Sequence, residues 1–371
     1  MKILHLSKFY RPDPGGLEYI VAQLAEAESR AGHDVRVVAA TGSSWMRDPG
    51  KRITEPPRGN VVVVRLPTYG IFWSQPIAPG YIPAARWPAD VVHLHHPHPL
   101  ADVAALFGPR RPLVITQHSD IQRQAIVRPL YQPVVRAALR RAAAITVPTH
   151  AHARVSRELS GFGDKIRVVP FGVDLTRFSP KPDAPRPRVF PDGRPVGLFV
   201  GRLVGYKGLD VLVEALRGTD LAVVVVGGGP ERPRLEQLIE RHGLNGQVRF
   251  AGEVPDVDLP EYYQAADWLV LPSTTNAEMF GVVLLEAMAM ARPVINTALP
   301  TGVSEVSVPG ETGLQVPPGD AGALREAMTR LSADADLRRR LGQAGRRRVE
   351  QRFTLEKMVE GYQAVYREIA Q

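Results

Sequence analysis

Residues 196–216 read VGLFVGRLVGYKGLDVLVEAL, and their reading decides the fold. A short apolar run ends at Gly201, a glycine-bearing loop follows, and the chain re-enters as an amphipathic helix, which is one half of a βαβ unit. In sheets built this way ligands sit beyond the carboxyl ends of the strands. The loop GRLVGYKG is therefore a place to look for chemistry.

The same alternation runs outward in both directions. Toward the C-terminus it gives strands at 221–227, 247–252, 267–272 and 293–297; toward the N-terminus, at 2–6, 34–40, 60–66, 90–95, 112–118, 144–148 and 165–170. Residues 179–195, SPKPDAPRPRVFPDGRP, hold six prolines and no periodicity, so they read as a linker. Two doubly wound α/β domains with parallel sheets are expected: 1–180, a linker at 181–195, and 196–353. A last helix in 354–371 carries Leu355, Met358, Val359, Tyr362, Val365 and Tyr366 along one face. It is free to pack on either domain, including back onto the N-terminal one.

Composition narrows the class. At 371 residues the chain is long enough for two domains. Hydrophobic residues at 44% and charged residues at 23% are ordinary globular values. There is no cysteine, which excludes disulfides and zinc–thiolate sites and leaves any metal to His, Asp and Glu. No apolar run approaches the roughly 18 residues of a membrane span. The opening MKILHLSKFY reads as a first strand rather than a signal peptide, so a cytoplasmic location is expected. The net charge of +8 is uneven, with 23 Lys+Arg against 13 Asp+Glu in residues 1–180 and 23 against 25 in the remainder. A basic N-terminal half suits anionic lipid, nucleic acid or phosphorylated substrates.

Three loops carry candidate chemistry. In RPDPGGLEYIVAQLAE, Gly15 and Gly16 follow the first strand and open a helix, where backbone can approach a phosphate and the helix start offers amide hydrogens. A simple glycine turn is the other reading of that loop. In GRLVGYKG, Arg202 and Lys207 flank a helix start, a pocket for a diphosphate unless both are solvated surface charges. In TTNAEMFGVVLLEAMAMARPVI, Glu278 and Glu286 are eight positions apart. With a helix starting near Gly281 both would reach one ligand, and a charge inside so apolar a helix is costly unless something pairs with it.

The set Gly15-Gly16, GRLVGYKG, EMFGVVLLEAMAMARPVI and TGVSEVSVPGETGLQVPPGD resembles the retaining glycosyltransferases of family 4, over nearly the whole chain. The resemblance implies the GT-B fold, two facing Rossmann-like domains with an interdomain cleft. It implies that Arg202 and Lys207 bind the donor diphosphate, Glu286 the ribose hydroxyls and Glu278 the sugar hydroxyls. Backbone amides of Phe280, Gly281 and Val282 would help hold sugar and phosphate, with Gly16 closing over the phosphate from the other domain. The family also uses a histidine at the end of an N-domain strand, and VITQHSD puts His118 there as a neutral donor to a sugar hydroxyl. Stereochemistry would be retained, with the departing phosphate taking the proton and no metal required. TQHSDIQRQ, the tyrosine-bearing segment after it and ALPTGV resemble the bacterial mannosyl- and rhamnosyltransferase branch. That implies hexose transfer from a GDP-sugar, favoured over a UDP-sugar, to a glycan or polyprenyl-linked acceptor in polysaccharide synthesis.

Other features weigh differently. Asp256 and Asp258 spell D-V-D, a metal-binding pattern in another glycosyltransferase fold. Here they precede an amphipathic helix and read as caps. VVVVGGGPE lacks the G-x-G-x-x-G dinucleotide fingerprint. The helix expected in 123–144 interleaves Arg123, Arg128, Arg136, Arg140 and Arg141 with apolar residues, either a membrane-surface helix or a solvated face. The loop 69–87 adds Phe72, Trp73, Tyr81 and Trp87, an acceptor-binding or lipid-facing patch if exposed and core if buried. Together these allow peripheral contact with the inner face of the cell membrane.

Residues 93–98, HLHHPH, hold four of the ten histidines. Strand alternation puts His93 and His95 on one face and His96 on the other. Two ligands do not make a metal site, so none is expected. His96 and His98, with Gly15, are expected on the acceptor side. The rivals to transfer are a UDP-sugar-dependent glucosyl- or N-acetylglucosaminyl-type enzyme, a nucleotide-sugar 2-epimerase of the same fold, and a non-catalytic sugar-nucleotide-binding subunit. A nucleic-acid module is disfavoured, because the basic half lacks an interleaved aromatic recognition motif.

Overall fold

The computed structural model describes all residues except 14, 42–51, 56–58, 73–74, 122–127, 182–188, 191 and 371, and of 128–130 the backbone only. The chain forms two compact units: Met1–Phe171 with Leu355–Gln371, and Gly172–Thr354.

The first unit is built on strands β1 (Lys2–Leu6), β2 (Asp34–Ala40), β3 (Ile53–Thr54), β4 (Val61–Leu66), β7 (Val91–His96), β8 (Leu113–Gln117), β9 (Ala144–Val147) and β10 (Ile166–Val168). A small hairpin, β5 (Ile71–Phe72) and β6 (Gln75–Pro76), stands apart. The sheet order is β10-β9-β8-β7-β1-β2-β4-β3. All pairings are parallel except β3 with β4. Helices α1 (Gly16–Arg30), α2 (Tyr81–Ala84), α3 (Pro99–Phe107), α4 (Arg128–Arg141) and α5 (His150–Val155) connect the strands. Strand alternation sends Val35, Val37 and Ala39 to one core with Val21 and Ala22 of α1. Val38 and Ala40 go to the other, with Leu94, Ala104 and Leu139. Both faces are covered, which is why these strands are near-continuous apolar runs.

The second unit has β11 (Val196–Val200), β12 (Ala222–Val226), β13 (Val248–Gly252), β14 (Trp268–Leu271), β15 (Val294–Thr297) and β16 (Gly313–Val316). They form an all-parallel sheet in the order β13-β12-β11-β14-β15-β16. Its helices are α6 (Leu209–Leu216), α7 (Arg232–Arg241), α8 (Leu259–Ala265), α9 (Val282–Ala289), α10 (Val303–Val306), α11 (Ala321–Ala333) and α12 (Ala335–Arg352). In each sheet the order reverses at the first strand, β1 and β11. That is where a doubly wound sheet opens a crevice.

The division falls elsewhere than at residue 180. Residues 172–180 belong to the second unit because Val173 donates its amide to Phe353 O at 2.9 Å and Arg346 donates to Phe178 O, also at 2.9 Å. Of the linker 181–195, residues 182–188 and 191 lie outside the described residues. The final helix, α13 (Leu355–Ile369), belongs to the first unit and lies against α1. All six residues of its expected apolar face are buried there.

Candidate active site

At the reversal point of the second sheet, β11 delivers Arg202 and Lys207, and the neighbouring β14 delivers the loop to Glu278. Close packing of backbone forms this corner. A Cβ on Gly208, whose φ is 69°, would stand 2.0 Å from Pro272 O, and one on Gly227, with φ 124°, would stand 2.1 Å from Gly201 O. The glycines of VVVVGGGPE thus let the loop after β12 pass under the loop that carries Arg202.

Lys207 is buried and its Nζ donates to Glu278 Oε2 at 2.6 Å. Ser273 Oγ donates to the same oxygen at 2.9 Å, and Thr301 Oγ1 holds the Glu278 carbonyl at 2.7 Å. Burial works against the lysine's charge, but the carboxylate beside it prevails and its pKa lies above the ordinary value. Arg202 is exposed next to this pair, with no ion-pair partner among the described residues. One neutralised buried pair with an exposed guanidinium leaves a net positive corner suited to an anion.

Helix α9 begins at Val282 behind Gly281, whose φ of 76° makes the turn; Leu284 N–H donates to Gly281 O at 2.8 Å, and the amides of Val282 and Val283 have no carbonyl a turn earlier within the helix. Phe280 is buried edge-on to Phe353. Glu286, on the second turn, is buried and accepts from the Tyr263 hydroxyl at 2.6 Å. Burial lifts its pKa to about 7, with Asp256 adding to the lift and Tyr263 and Arg177 opposing it. A carboxylate so placed is a strong acceptor for paired hydroxyls once it is ionised.

In the first unit, Gly15 and Gly16 follow β1, and Gly16 is exposed with open space where a Cβ would stand. His118 follows β8, half-buried and stacked on Phe171 with ring centroids 5.4 Å apart. Burial, with His152, His96 and Lys8 nearby, pushes its pKa down to about 3, so the ring is neutral. Its Nε2 lies 3.1 Å from His95 Nδ1.

His96 and His98, expected at the acceptor side, are both buried. His96 lies between two carboxylates, with Nδ1 3.0 Å from Asp102 Oδ2 and Nε2 3.2 Å from Glu158 Oε2, and neither nitrogen is left for a ligand. Burial opposes its charge, but Asp102 and Glu158 raise its pKa to about 10. His98 sits edge-on to Tyr81 with centroids 4.3 Å apart, its ring nitrogens without partners among the described residues. Asp258 occupies the cap position of α8 but makes no capping bond through its side chain, because its backbone is already helical. Of the loop 69–87, Tyr69 and Phe72 are exposed, Tyr81 is core, and Trp73 lies outside the described residues. In α4, Arg140 is exposed; Arg123 and the side chain of Arg128 lie outside the described residues.

Sequence spacing missed the partner of His93 and His95. Register pairs His5 of β1 with His93, and ligand atoms of His5, His93 and His95 lie within 4.8 Å of one another, close enough to hold a metal ion. In this structure every ring nitrogen of the three is already hydrogen-bonded, to Glu28, Tyr366, Thr116, His118 or each other. The signal was the alternation of histidines in KILHL and VVHLHH, legible only once the two strands are known to be neighbours.

Comparison with known proteins gives the family. Residues 180–348 match the profile of Glycosyl transferases group 1, and residues 14–177 that of Glycosyltransferase Family 4. The chain is 34% identical to D-rhamnosyltransferase WbpZ of Pseudomonas aeruginosa over 95% of this chain and 92% of that one. It is 31% identical to O-antigen chain mannosyltransferase C of Escherichia coli, over 99% and 98%. Among solved structures, sucrose-phosphate synthase from Thermosynechococcus elongatus superposes with a TM-score of 0.83 at 27% identity, covering 99% of this chain and 98% of that one. The chain belongs to the group 1 glycosyl transferases of glycosyltransferase family 4.

Proposed function

We propose that this glycosyltransferase moves a hexose, mannose or rhamnose, from a GDP-sugar to a glycan or polyprenyl-linked acceptor, with retention of configuration and without a metal. The observation that carries the reading is the corner at β11 and β14, an exposed Arg202 beside the buried Lys207–Glu278 pair with Glu286 on the adjoining helix. Arg202 and Lys207 neutralise the diphosphate as the glycosidic bond breaks, and the amides of Phe280, Gly281 and Val282 share that charge. Glu278 accepts from sugar hydroxyls and Glu286 from those of the ribose. Gly16 and His118 act on the phosphate and the transferred sugar. The mannose and rhamnose preference is supported by the names of the relatives. The departing phosphate takes the acceptor's proton, so no protein nucleophile is required. Tyr69 and Phe72, on or beside the small hairpin of the basic N-terminal unit, support peripheral contact with a membrane that carries the acceptor.

A thermal-shift screen with GDP, UDP, ADP and dTDP tests the donor, since a ligand at one hundred times its Kd stabilises by about 2.7 kcal/mol. GDP is expected to give the largest rise in Tm. Stabilisation by UDP alone would sink the GDP reading, and conversion of the donor to an epimer in the absence of acceptor would replace transfer by epimerisation. The rate should be unchanged by EDTA, and the product's anomeric proton coupling should match the donor's.

A further inference from the structure

His118 is carried by a loop that leaves the sheet. Its amide donates to His96 O at 3.0 Å, which extends the pairing of β8 with β7 by one bond. Past that bond, side chains hold the backbone. Glu158, in the turn after α5, is buried. Its Oε2 accepts from Gln117 Nε2 at 2.7 Å and lies 3.2 Å from His96 Nε2, and its Oε1 accepts from the Ile121 amide at 3.0 Å. One carboxylate thus grips the residues on both sides of 118–120. Asp120 ties the middle of the loop to the same segment, with Oδ1 accepting from the Ser156 hydroxyl and Oδ2 from the Arg157 amide at 2.9 Å. Gln117 Nε2 also lies 3.2 Å from Ser119 O.

The fold does not need these bonds to close the loop. Ile121 and Leu159 already sink into the apolar core of the first unit, one at each end of the contact. What the carboxylates add is direction. Burial works against the charge of Glu158, but the bonds from His96, Ile121 and Gln117 prevail and hold its pKa below the ordinary value. Both oxygens therefore accept, and what they face donates.

The ring of His118 is fixed on two sides, by His95 Nδ1 3.1 Å from its Nε2 and by Phe171 stacked against its face. Its Nδ1 has no partner among the described residues. A hydrogen bond weakens steeply with angle, so the aim of that nitrogen depends on the backbone that carries the ring.

We propose that Glu158 and Asp120 are positioning residues for sugar transfer, fastening the loop 118–121 so that the open ring nitrogen of His118 is aimed at a hydroxyl of the transferred sugar. Both act through His118. The aim rests on the reading above that His118 acts on the transferred sugar.

Glu158→Gln isolates this role at nearly unchanged volume. Turned one way, the new amide nitrogen faces the N–H groups of Gln117 and His96; turned the other way, it faces the Ile121 amide. One end of the grip is lost in either case, while His96 keeps its bond to Asp102.

Two measurements on the full chain test the proposal. In amide hydrogen exchange and histidine ring spectra, Glu158→Gln should speed exchange at Ile121 and shift the His118 ring, while the amides of β1 and β2 stay protected. With GDP-mannose as the donor probe and GDP release as the readout, the same variant should lower kcat by about ten- to a hundredfold and leave the donor KM nearly unchanged. Because the carboxylate acts through His118, the double variant of His118→Ala with Glu158→Gln should be no slower than His118→Ala alone. The positioning is overturned by an unmoved Ile121 amide and His118 ring, by a change in donor KM without one in kcat, or by losses that multiply in the double variant. Full transfer by His118→Ala would remove the reading on which the aim rests, whereas a slow His118→Ala beside a fully active Glu158→Gln would overturn the positioning alone. If Glu158→Gln does not fold, Asp120→Asn decides the same points, because Asp120 is only half-buried and holds the same loop. Its exchange marker is the Arg157 amide.

Discussion

Glu286 shows how one buried residue sets a pH dependence. Its pKa of about 7 lies well above the ordinary carboxyl value of 4.5, chiefly through burial. The folded state therefore holds the proton more tightly than the unfolded chain does. The resulting stabilisation is complete below about pH 4.5 and is lost as pH rises through 7. With Glu286 in the ribose-binding role proposed for it, nucleotide binding should move the opposite way, because only an ionised carboxyl accepts from two hydroxyls. Calorimetric titration of the nucleoside diphosphate is expected to show affinity rising from pH 6 to 8, and Glu286→Gln should flatten both that trend and the fall in stability. Glu278 is tied differently. Glu278→Ala would leave Lys207 as an uncompensated buried charge, costing about 3–5 kcal/mol, read as a fall in the urea midpoint. Glu278→Gln should keep much of that stability and, on the sugar contact proposed for this carboxylate, lose transfer, which separates its structural pairing with Lys207 from the proposed role. The sequence made both glutamates conspicuous, because a charge in or beside an apolar helix needs a partner. Their holders Tyr263 and Ser273 were not legible, since either contact exists only once the strands and helices have been placed.

Among elements, strands lying in the covered middle of each sheet were legible in the sequence to within a residue or two. Burial on both faces demands unbroken apolar runs, and β1, β2 and β11 fall at their expected bounds. Edge pieces were not: β3, the hairpin β5–β6 and β16 are short and partly exposed, so they carry no such run. The loops of the candidate site had a different signature, their glycines, whose meaning is steric. With φ at 69° and a would-be Cβ 2.0 Å from Pro272 O, Gly208 must be glycine for the β11 loop to meet the β14 loop. Gly208→Ala should therefore cost about 1–3 kcal/mol and weaken nucleotide binding, because Lys207 is carried by the residue before it. Gly16→Ala is the contrast. Nothing lies within 4 Å of its would-be Cβ, so stability measured in urea should stay nearly unchanged while any loss appears in donor KM.

At the scale of the whole molecule the chain crosses between its units twice, at Phe171/Gly172 and at Thr354/Leu355. The second unit is thus one continuous segment, and the first is completed only by the chain's last helix. Fragment 172–354 contains its whole sheet, the core from Phe199 to Leu341 and the side chains from Arg202 to Glu286. It should fold alone and bind nucleoside diphosphate without transferring sugar. Fragment 1–171 should not fold alone. It lacks α13, six of whose side chains are buried, and each large apolar side chain so buried contributes about 1.5–3 kcal/mol, comparable in sum to the whole stability of a domain. It would also leave Glu28 and His93 without the Tyr366 hydroxyl that both use. Adding a 355–371 peptide to fragment 1–171 should restore helical circular dichroism and a cooperative unfolding transition. A cooperatively folded 1–171 without the peptide would show instead that the sheet and α1 suffice, and that α13 only covers a core already formed.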